Sequence, residues 1–314
     1  MMEGLRVFDA SVKDPTGRDI FTWSRVTATQ TCPRKGYLRY GLGWRREGTP
    51  GKALRIGLAY HEAQHACVTG DVDRVPEIMA EHVGDEFEHE YVLAMLASYW
   101  ERYEREPYEF VASELQFEIE LHGKRAAGAI DGIVRVSDGR LMVLERKTTS
   151  DDITPGESYW WAVRINEQVS LYMIAARALG YDVAGVIWEA VRKPGQRPLK
   201  SVNESAEQYG ERVAHVMGSD PGRYFQRVEL VRTEAQLEAF ALDFARLCQS
   251  AAEVSGLPRS LSPRNTTQCN ISGRRCPFLD ICDRDWTLLD DAPAGYEQLS
   301  WIHTELEAPT EVEQ

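Results

Sequence analysis

Apolar positions along this chain change period several times, and each change marks an element. From 21 to about 105 the spacing is mainly helical, with one helix over 53–67 and a longer one over 78–103. Pro107 then ends the helical period, because its ring fixes φ and removes a donor. Three strand-like runs follow at 108–121 (YEFVASELQFEIEL), 126–136 (AAGAIDGIVRV) and 140–147 (RLMVLERK). His122-Gly123 and Ser137-Asp138-Gly139 supply the turns between them. Helical spacing returns over 166–179, with Asn166 as N-cap and Gly180 just past the end. Residues 181–191 form an apolar, branched strand, and 203–255 return to helix. This order predicts an α/β fold, a small mixed sheet with helices packed on it. Residues 1–20 read as an irregular lead-in, 258–286 as an irregular Pro- and Cys-bearing segment, and 287–314 as an acidic tail with little periodicity.

Composition narrows the class. Hydrophobic residues make up 43% and charged residues 27% of 314 positions, which excludes wholesale disorder and leaves enough apolar side chains for a sizeable core. No window approaches eighteen uncharged apolar residues, and residues 1–10 carry acids without an apolar stretch. The expectation is a soluble, cytoplasmic chain without a membrane partner. The net charge of −13 says little, because it averages two unlike regions. Residues 283–314 hold nine acids against Arg284, whereas 34–55 hold seven bases against Glu47. No G-x-x-x-x-G-K-[ST] is present, so no nucleotide-hydrolysing motor is visible.

The strand at 140–147 carries the first chemical signal. Leu141, Val143, Glu145 and Lys147 share one face. A carboxylate and an ammonium ending an apolar face are costly to bury without a partner or a task. Asp131 lies on the neighbouring strand, where cross-strand side chains stand about 5 Å apart. Two carboxylates so placed repel unless a cation joins them, and Mg²⁺ or Mn²⁺ takes such oxygen ligands. Lys147 would then orient an attacking water or hold charge developing on a phosphate. A surface Glu145–Lys147 pair, with Asp131 in a turn, fits the same three residues.

Neighbouring residues extend the pattern. Glu114 lies in the preceding strand and His61 on an upstream helix, while Gln168 and Tyr172 are four apart and share a helix face. "GLAYHEAQHA", "GAIDGIVRV", "LMVLERKTT" and "EQVSLYMIAA" appear in that order. Together they resemble the G-x-x-x-H, Asp, E-x-K and Q-x-x-x-Y motifs of the RecB-type PD-(D/E)XK nucleases over roughly residues 20–200. Ile130 stands where the superfamily name has proline. The resemblance implies a restriction-endonuclease-like core at 106–200, between a helical region at 21–105 and another at 201–257. It further implies metal-dependent hydrolysis of DNA, with His61, Asp131 and Glu145 as ligands, Lys147 catalytic, and Gln168 and Tyr172 beside the substrate backbone. Glu114 joins the catalytic set by position. Exonuclease action on single-stranded or free ends is what the family favours, with a helicase, a recombinase, a CRISPR integrase or no protein as partner.

Six cysteines sit at 32, 67, 248, 269, 276 and 282, and an intracellular chain of this length does not need disulfides. "TQTCPRKGYLRYG" and "CNISGRRCPFLDIC" resemble the iron–sulfur members of the same branch, AddB-type nucleases and four-cysteine CRISPR-associated exonucleases. That resemblance implies a [4Fe–4S] cluster on Cys32, Cys269, Cys276 and Cys282, joining the chain ends across the core at 258–286. Tetrahedral Zn²⁺ suits the same thiolates, and unrelated buried thiols are the third reading. The Cys269–Cys276 gap is longer than usual in that pattern. Cys67 and Cys248 read as buried structural thiols.

His61-Glu62-Ala63-Gln64-His65 also spells H-E-x-x-H, a zinc-protease signature, with Glu81, Glu86, Glu88 or Glu90 downstream as a third ligand. That reading leaves Asp131, Glu145, Lys147 and four cysteines without a role. A non-catalytic DNA-binding module on a nuclease fold is a further alternative. Arg34, Lys35, Arg39, Arg45 and Arg46 form a candidate DNA track or a solvated helix face. Arg192, Lys193, Arg197 and Lys200 would widen it. Trp44, Tyr159, Trp160 and Trp161 would stack on bases or pack in the core. The acidic tail reads as disordered, or as a mimic of a nucleic-acid backbone.

Overall fold

A computed structural model describes residues 6–7, 16–48, 50–104, 108–258, 262–271, 274–284 and 291–306. The strands are β1 (Arg6–Val7), β2 (Ile20–Phe21), β3 (Trp44–Arg46), β4 (Glu109–Leu121), β5 (Lys124–Arg135), β6 (Leu141–Thr149), β7 (Val183–Arg192), β8 (Phe225–Leu230), β9 (Asn270–Ile271), β10 (Arg274–Arg275) and β11 (Tyr296–Gln298). The helices are α1 (Trp23–Thr31), α2 (Pro33–Gly36), α3 (Lys52–Thr69), α4 (Val75–His82), α5 (Glu86–Tyr103), α6 (Ser158–Arg164), α7 (Gln168–Ala178), α8 (Ala206–Ser219), α9 (Pro221–Tyr224), α10 (Glu234–Gly256) and α11 (Leu279–Cys282).

The expected α/β architecture is present. One sheet runs β1-β4-β5-β6-β7-β8, with β2 alongside β5. β4, β5 and β6 form an antiparallel meander, β6 and β7 are parallel, and β8 returns antiparallel at the edge. A parallel pair needs a crossover, and α6 and α7 supply it. One face of the sheet packs Ile130, Val143 and Trp188 against Leu171, Ile174 and Phe244 of α7 and α10. On the other, Val191 and Phe225 meet Ile56, Tyr60, Met95 and Tyr99 of α3 and α5. The β6–β7 pair is therefore covered on both faces, which explains its apolar sequence.

Several expectations are corrected. The helix expected over 78–103 is two, because Glu88 accepts from the Gly84 N–H at 2.8 Å and Asp85 caps the second through the Glu88 N–H at 2.8 Å. The helix expected over 203–255 breaks at Ser219, and Phe225–Leu230 pairs with β7 before helix resumes after the Thr233 capping box. Asn166 caps one position early: its Oδ1 accepts from the Gln168 N–H at 2.9 Å, and Glu167 is the cap residue. The lead-in is not wholly irregular, since Arg6 pairs with Glu120 and Ile20 with Arg125. Pro107 lies outside the described residues.

The acidic tail is corrected too. Residues 291–306 pack on the body, where β11 pairs with β3, placing Gln298 opposite Trp44. Ile302 and His303 are buried, and the Thr22 hydroxyl donates to Glu305 Oε1 at 2.5 Å. This pairing joins residues some 250 apart, so no local pattern announces it. Residues 285–290 and 307–314 lie outside the described residues.

Candidate active site

The centre of the sheet opens where one ladder ends. β5 and β6 pair from Arg135↔Leu141 to Gly132↔Leu144. Asp131 and Glu145 come next on their strands, and Asp131 Oδ2 accepts the Arg146 N–H at 2.6 Å. On the far side of β5, Ser113 pairs with Gly132 and Leu115 with Ile130, which sets Glu114 opposite Asp131. Glu114 adopts φ 47, left-handed backbone inside a strand. A non-glycine residue held there costs on the order of 1 kcal/mol, and such outliers cluster at functional sites. Glu114, Asp131 and Glu145 thus stand in one row across three neighbouring strands.

Their electrostatics are those of crowded carboxylates. Glu145 is 1% exposed and ion-paired with Lys147, whose side chain is 39% exposed. Glu145 Oε2 is buried without a hydrogen-bond partner. Burial pushes the Glu145 carboxyl up, and Asp131 adds to this while Lys147 opposes it. Burial would lower the Lys147 ammonium, but Glu145 and Asp131 outweigh it and hold the group protonated. Desolvation and the charge of Asp131 push the Glu114 carboxyl up to about 7, although the residue as a whole is exposed. His61 reaches the same place from α3. Burial pulls its imidazole down to about 4 against the attraction of Asp131, so at neutral pH it carries a free lone pair.

The crossover helix closes the other side. Gln168 Nε2 donates to the Tyr172 hydroxyl at 2.7 Å, as residues four apart on one helix face can. Burial raises the Tyr172 phenol, and Glu145 and Asp131 add to it, which places the phenol within their field. Among the described residues, no three His, Cys, Asp or Glu side chains are grouped closely enough to hold an ion. His61 and Glu145 each feel the charge of Asp131, but the three do not form a ligand set here, and Glu145 is paired with Lys147. The protease arrangement fares worse: Glu62 faces His82 Nε2 at 3.0 Å, and Glu88 is taken by Arg55 at 2.8 Å.

Behind the site runs a row of charges that sequence reasoning missed. Arg146, Glu189 and Arg227 are register partners across β6, β7 and β8, on the face toward α5. Arg227 Nε donates to Glu189 Oε2 at 2.7 Å, the Tyr99 hydroxyl donates to the same oxygen at 3.1 Å, and Gln64 Nε2 donates to Oε1 at 3.4 Å. A lone glutamate inside VAGVIWEAV was the available signal. Glu189 is 1% exposed, so removing it leaves the Arg227 guanidinium without its ion-pair partner and takes the carboxylate from the residue opposite buried Arg146. Glu189→Ala should destabilise the fold by roughly 3–5 kcal/mol, read as a lower urea midpoint. An unchanged midpoint would show that the row contributes nothing to stability.

At the chain ends Cys276 lies within the field of Cys32 and Cys269, and Cys282 within that of Cys276 and Cys32, but among the described residues no three of these thiols are grouped as closely as an ion would need. None is disulfide-bonded. Cys32 precedes α2, and its Sγ accepts the Asn265 N–H at 3.3 Å. The Cys276 N–H donates to the Cys269 carbonyl at 2.8 Å. Burial raises the Cys276 thiol, with Lys35 opposing and Cys32 and Cys269 adding to it. Burial likewise raises Cys282, with Arg34 opposing. Phe278, Ile281, Tyr37, Trp44 and Val254 pack around Cys276 and Cys282. Of the other two, Cys248 is fully buried, as expected, whereas Cys67 is half-buried.

This changes the reading of the basic stretch. Arg34 donates to the Ser262 carbonyl at 2.8 and 3.0 Å, and Arg45 to the Ile302 carbonyl at 2.6 Å and the Arg39 carbonyl at 2.8 Å. Arg34 and Lys35 neighbour the cysteines, Arg39 lies over Tyr40, and Arg46 is the one exposed base of the expected set, 4.0 Å from Asp280. Arg34 and Arg45 thus hold the C-terminal segment. Trp44 and Trp160 are core residues and Tyr159 accepts from Trp188 Nε1 at 3.0 Å, leaving Trp161 as the exposed ring of that group.

No curated protein matches the chain. Among solved structures, a protein of Eubacterium rectale provisionally named an exonuclease aligns with a TM-score of 0.48 and 12% identity, over 89% of this chain and 93% of its own. The protein SSO0001 aligns with a TM-score of 0.29 and 16% identity, over 82% of this chain and 96% of its own. The PD-(D/E)XK nuclease superfamily matches residues 20–283, an interval that contains the whole sheet except β1 and every residue of the row. This chain belongs to the PD-(D/E)XK nuclease superfamily.

Proposed function

We propose that the chain is a divalent-metal-dependent nuclease that hydrolyses phosphodiester bonds of DNA, acting as an exonuclease on single-stranded ends. His61, Asp131 and Glu145 would hold Mg²⁺ or Mn²⁺, which supplies charge for the phosphoryl oxygens and makes water a nucleophile near neutral pH. The observation that carries this reading is the unpartnered, buried Oε2 of Glu145, in a row with Asp131 and Glu114. Three carboxylates so close repel one another, and a hard cation relieves them. Neutral His61 adds a lone pair from the helix side.

The remaining residues act on the substrate. Lys147 keeps its ammonium at the partly exposed end of the row, where it can orient water or oppose charge on the phosphate. Gln168 and Tyr172 offer an amide and a phenol for the strand. The exonuclease element rests on the RecB-type motif order. We also infer a [4Fe–4S] cluster on Cys32, Cys269, Cys276 and Cys282. Its support is the four-cysteine motif pattern together with four free thiols brought to one region from both chain ends, beside Arg34 and Lys35, which would offset thiolate charge.

End-labelled single-stranded DNA tests the activity. Mg²⁺ or Mn²⁺ should yield products shortened from one end, and EDTA should stop the reaction. Cutting of circular single strands would overturn the exonuclease element. No cleavage with either metal would overturn the nuclease reading.

A further inference from the structure

A second feature lies beyond the row, at the C-terminal ends of β6 and β7. A cleft of about 1140 Å³ opens there, with Lys52, Arg192, Lys193, Arg197, Lys200 and Arg223 among its walls. Among the described residues no carboxylate lines it, in a chain that has 49 acids against 36 bases. Such a wall is not the average surface of this protein.

Two elements connect the cleft with the carboxylate row. Ser150 lines it three residues beyond Lys147, about 10 Å along an extended strand. Lys52 lines it nine residues before His61, about 14 Å along α3. The Lys193 N–H donates to the Thr149 carbonyl at 2.7 Å, and its Nζ to the Ala53 carbonyl at 3.1 Å, so the two elements meet at the rim. Lys193 is also close enough for its charge to act on His61.

The wall is preorganised. Pro194 to Pro198 has its carbonyls tied down: Tyr91 donates to Pro194 at 2.8 Å, Tyr209 to Gln196 at 2.9 Å, and Arg212 to Arg197 at 2.9 Å. Lys52 is offset by Glu88 at 3.5 Å and Arg192 by Asp152 at 2.8 Å. Arg197, Lys200 and Arg223 are exposed and have no ion-pair partner among the described residues. Three exposed cations without ion-pair partners among the described residues, one of them on the tied-down Pro194–Pro198 wall, suit a repeating polyanion, because phosphates release condensed counterions when cations replace them.

We propose that this cleft is the track that grips the nucleic-acid backbone next to the scissile phosphate, through Arg197, Lys200 and Arg223. The assignment rests on the nuclease reading and names where its substrate runs. It takes the place of the expected track at Arg34, Lys35, Arg39, Arg45 and Arg46, in which Arg34 and Arg45 are bonded to the C-terminal segment.

The test is the salt dependence of binding, measured by fluorescence anisotropy on labelled oligothymidylate in EDTA, where no cleavage intervenes. In the full-length protein, the triple variant Arg197→Ala, Lys200→Ala, Arg223→Ala should bind more weakly. Its log–log salt slope should be less steep by about 2, from three contacts at about 0.7 each on a single strand. Arg197→Lys with Arg223→Lys should keep the wild-type slope, which separates lost charge from damaged folding. An unchanged slope in the triple variant would overturn the track, as would failure of the wild type to bind. The nuclease reading is judged separately, by metal-dependent cleavage with wild-type protein.

Discussion

Lys147→Ala should lower phosphodiester cleavage by about 10² to 10³-fold, the usual effect of removing one charge-stabilising group. The residue stands at the exposed end of a row of three carboxylates, and its ammonium is the cation within that row. Loss of activity alone would not separate chemistry from damage, since Glu145 is buried and loses its partner in the same variant. The metal requirement makes the separation. Asp131→Asn and Glu145→Gln should raise the Mg²⁺ concentration needed for half-maximal rate, because each removes an anionic ligand. Lys147→Ala should lower the maximal rate without that rise. Glu62→Gln should leave cleavage within about twofold, since its carboxylate is turned to His82. Wild-type rates from Lys147→Ala would sink the assignment of the row. Loss with Glu62→Gln and survival with Lys147→Ala would return attention to the H-E-x-x-H helix.

Removal of either Cys276 or Cys282 should abolish bound iron. Anaerobically purified wild type should be coloured and hold about four irons per chain, and Cys276→Ser or Cys282→Ser should hold none. Cys67→Ser, outside the group, should retain the full complement. The consequence reaches past the cofactor, because Phe278, Ile281 and Tyr296 pack with Tyr37, Trp44 and Val254 around these thiols. Cluster loss should therefore open 262–306 to proteolysis at a temperature where the sheet stays folded, as binding energy here is also folding energy. One zinc and no iron in the wild type would replace the cluster with a tetrahedral site. Iron retained in Cys282→Ser would remove that residue from the ligand set.

Legibility followed the range of the interactions. Three strands, their turns and the Gln168–Tyr172 pair were readable because alternation and i,i+4 spacing are local consequences of backbone geometry. The α/β class followed from their order. The row was half readable: E-x-K put Glu145 and Lys147 on one face, but the placing of Glu114 opposite Asp131 depends on the register of β4 on β5. β8 was hidden inside a helical stretch, since six residues at an edge have weak alternation and take their conformation from β7.

By itself, then, the sequence determined the central strands, the E-x-K pair and the cysteine pattern at both chain ends, all of which rest on spacing over a few residues. Tertiary structure decided which bases are free. Arg34 and Arg45 look like a nucleic-acid track in the chain and serve as anchors for 262–306 in the fold, while Arg197, Lys200 and Arg223 are brought to one cleft from separate segments. It also decided that much of the acidic tail is a packed strap, through the pairing of β3 with β11. The reason is physical: a cation's role is set by the carbonyls and carboxylates around it, and those arrive from residues hundreds of positions away.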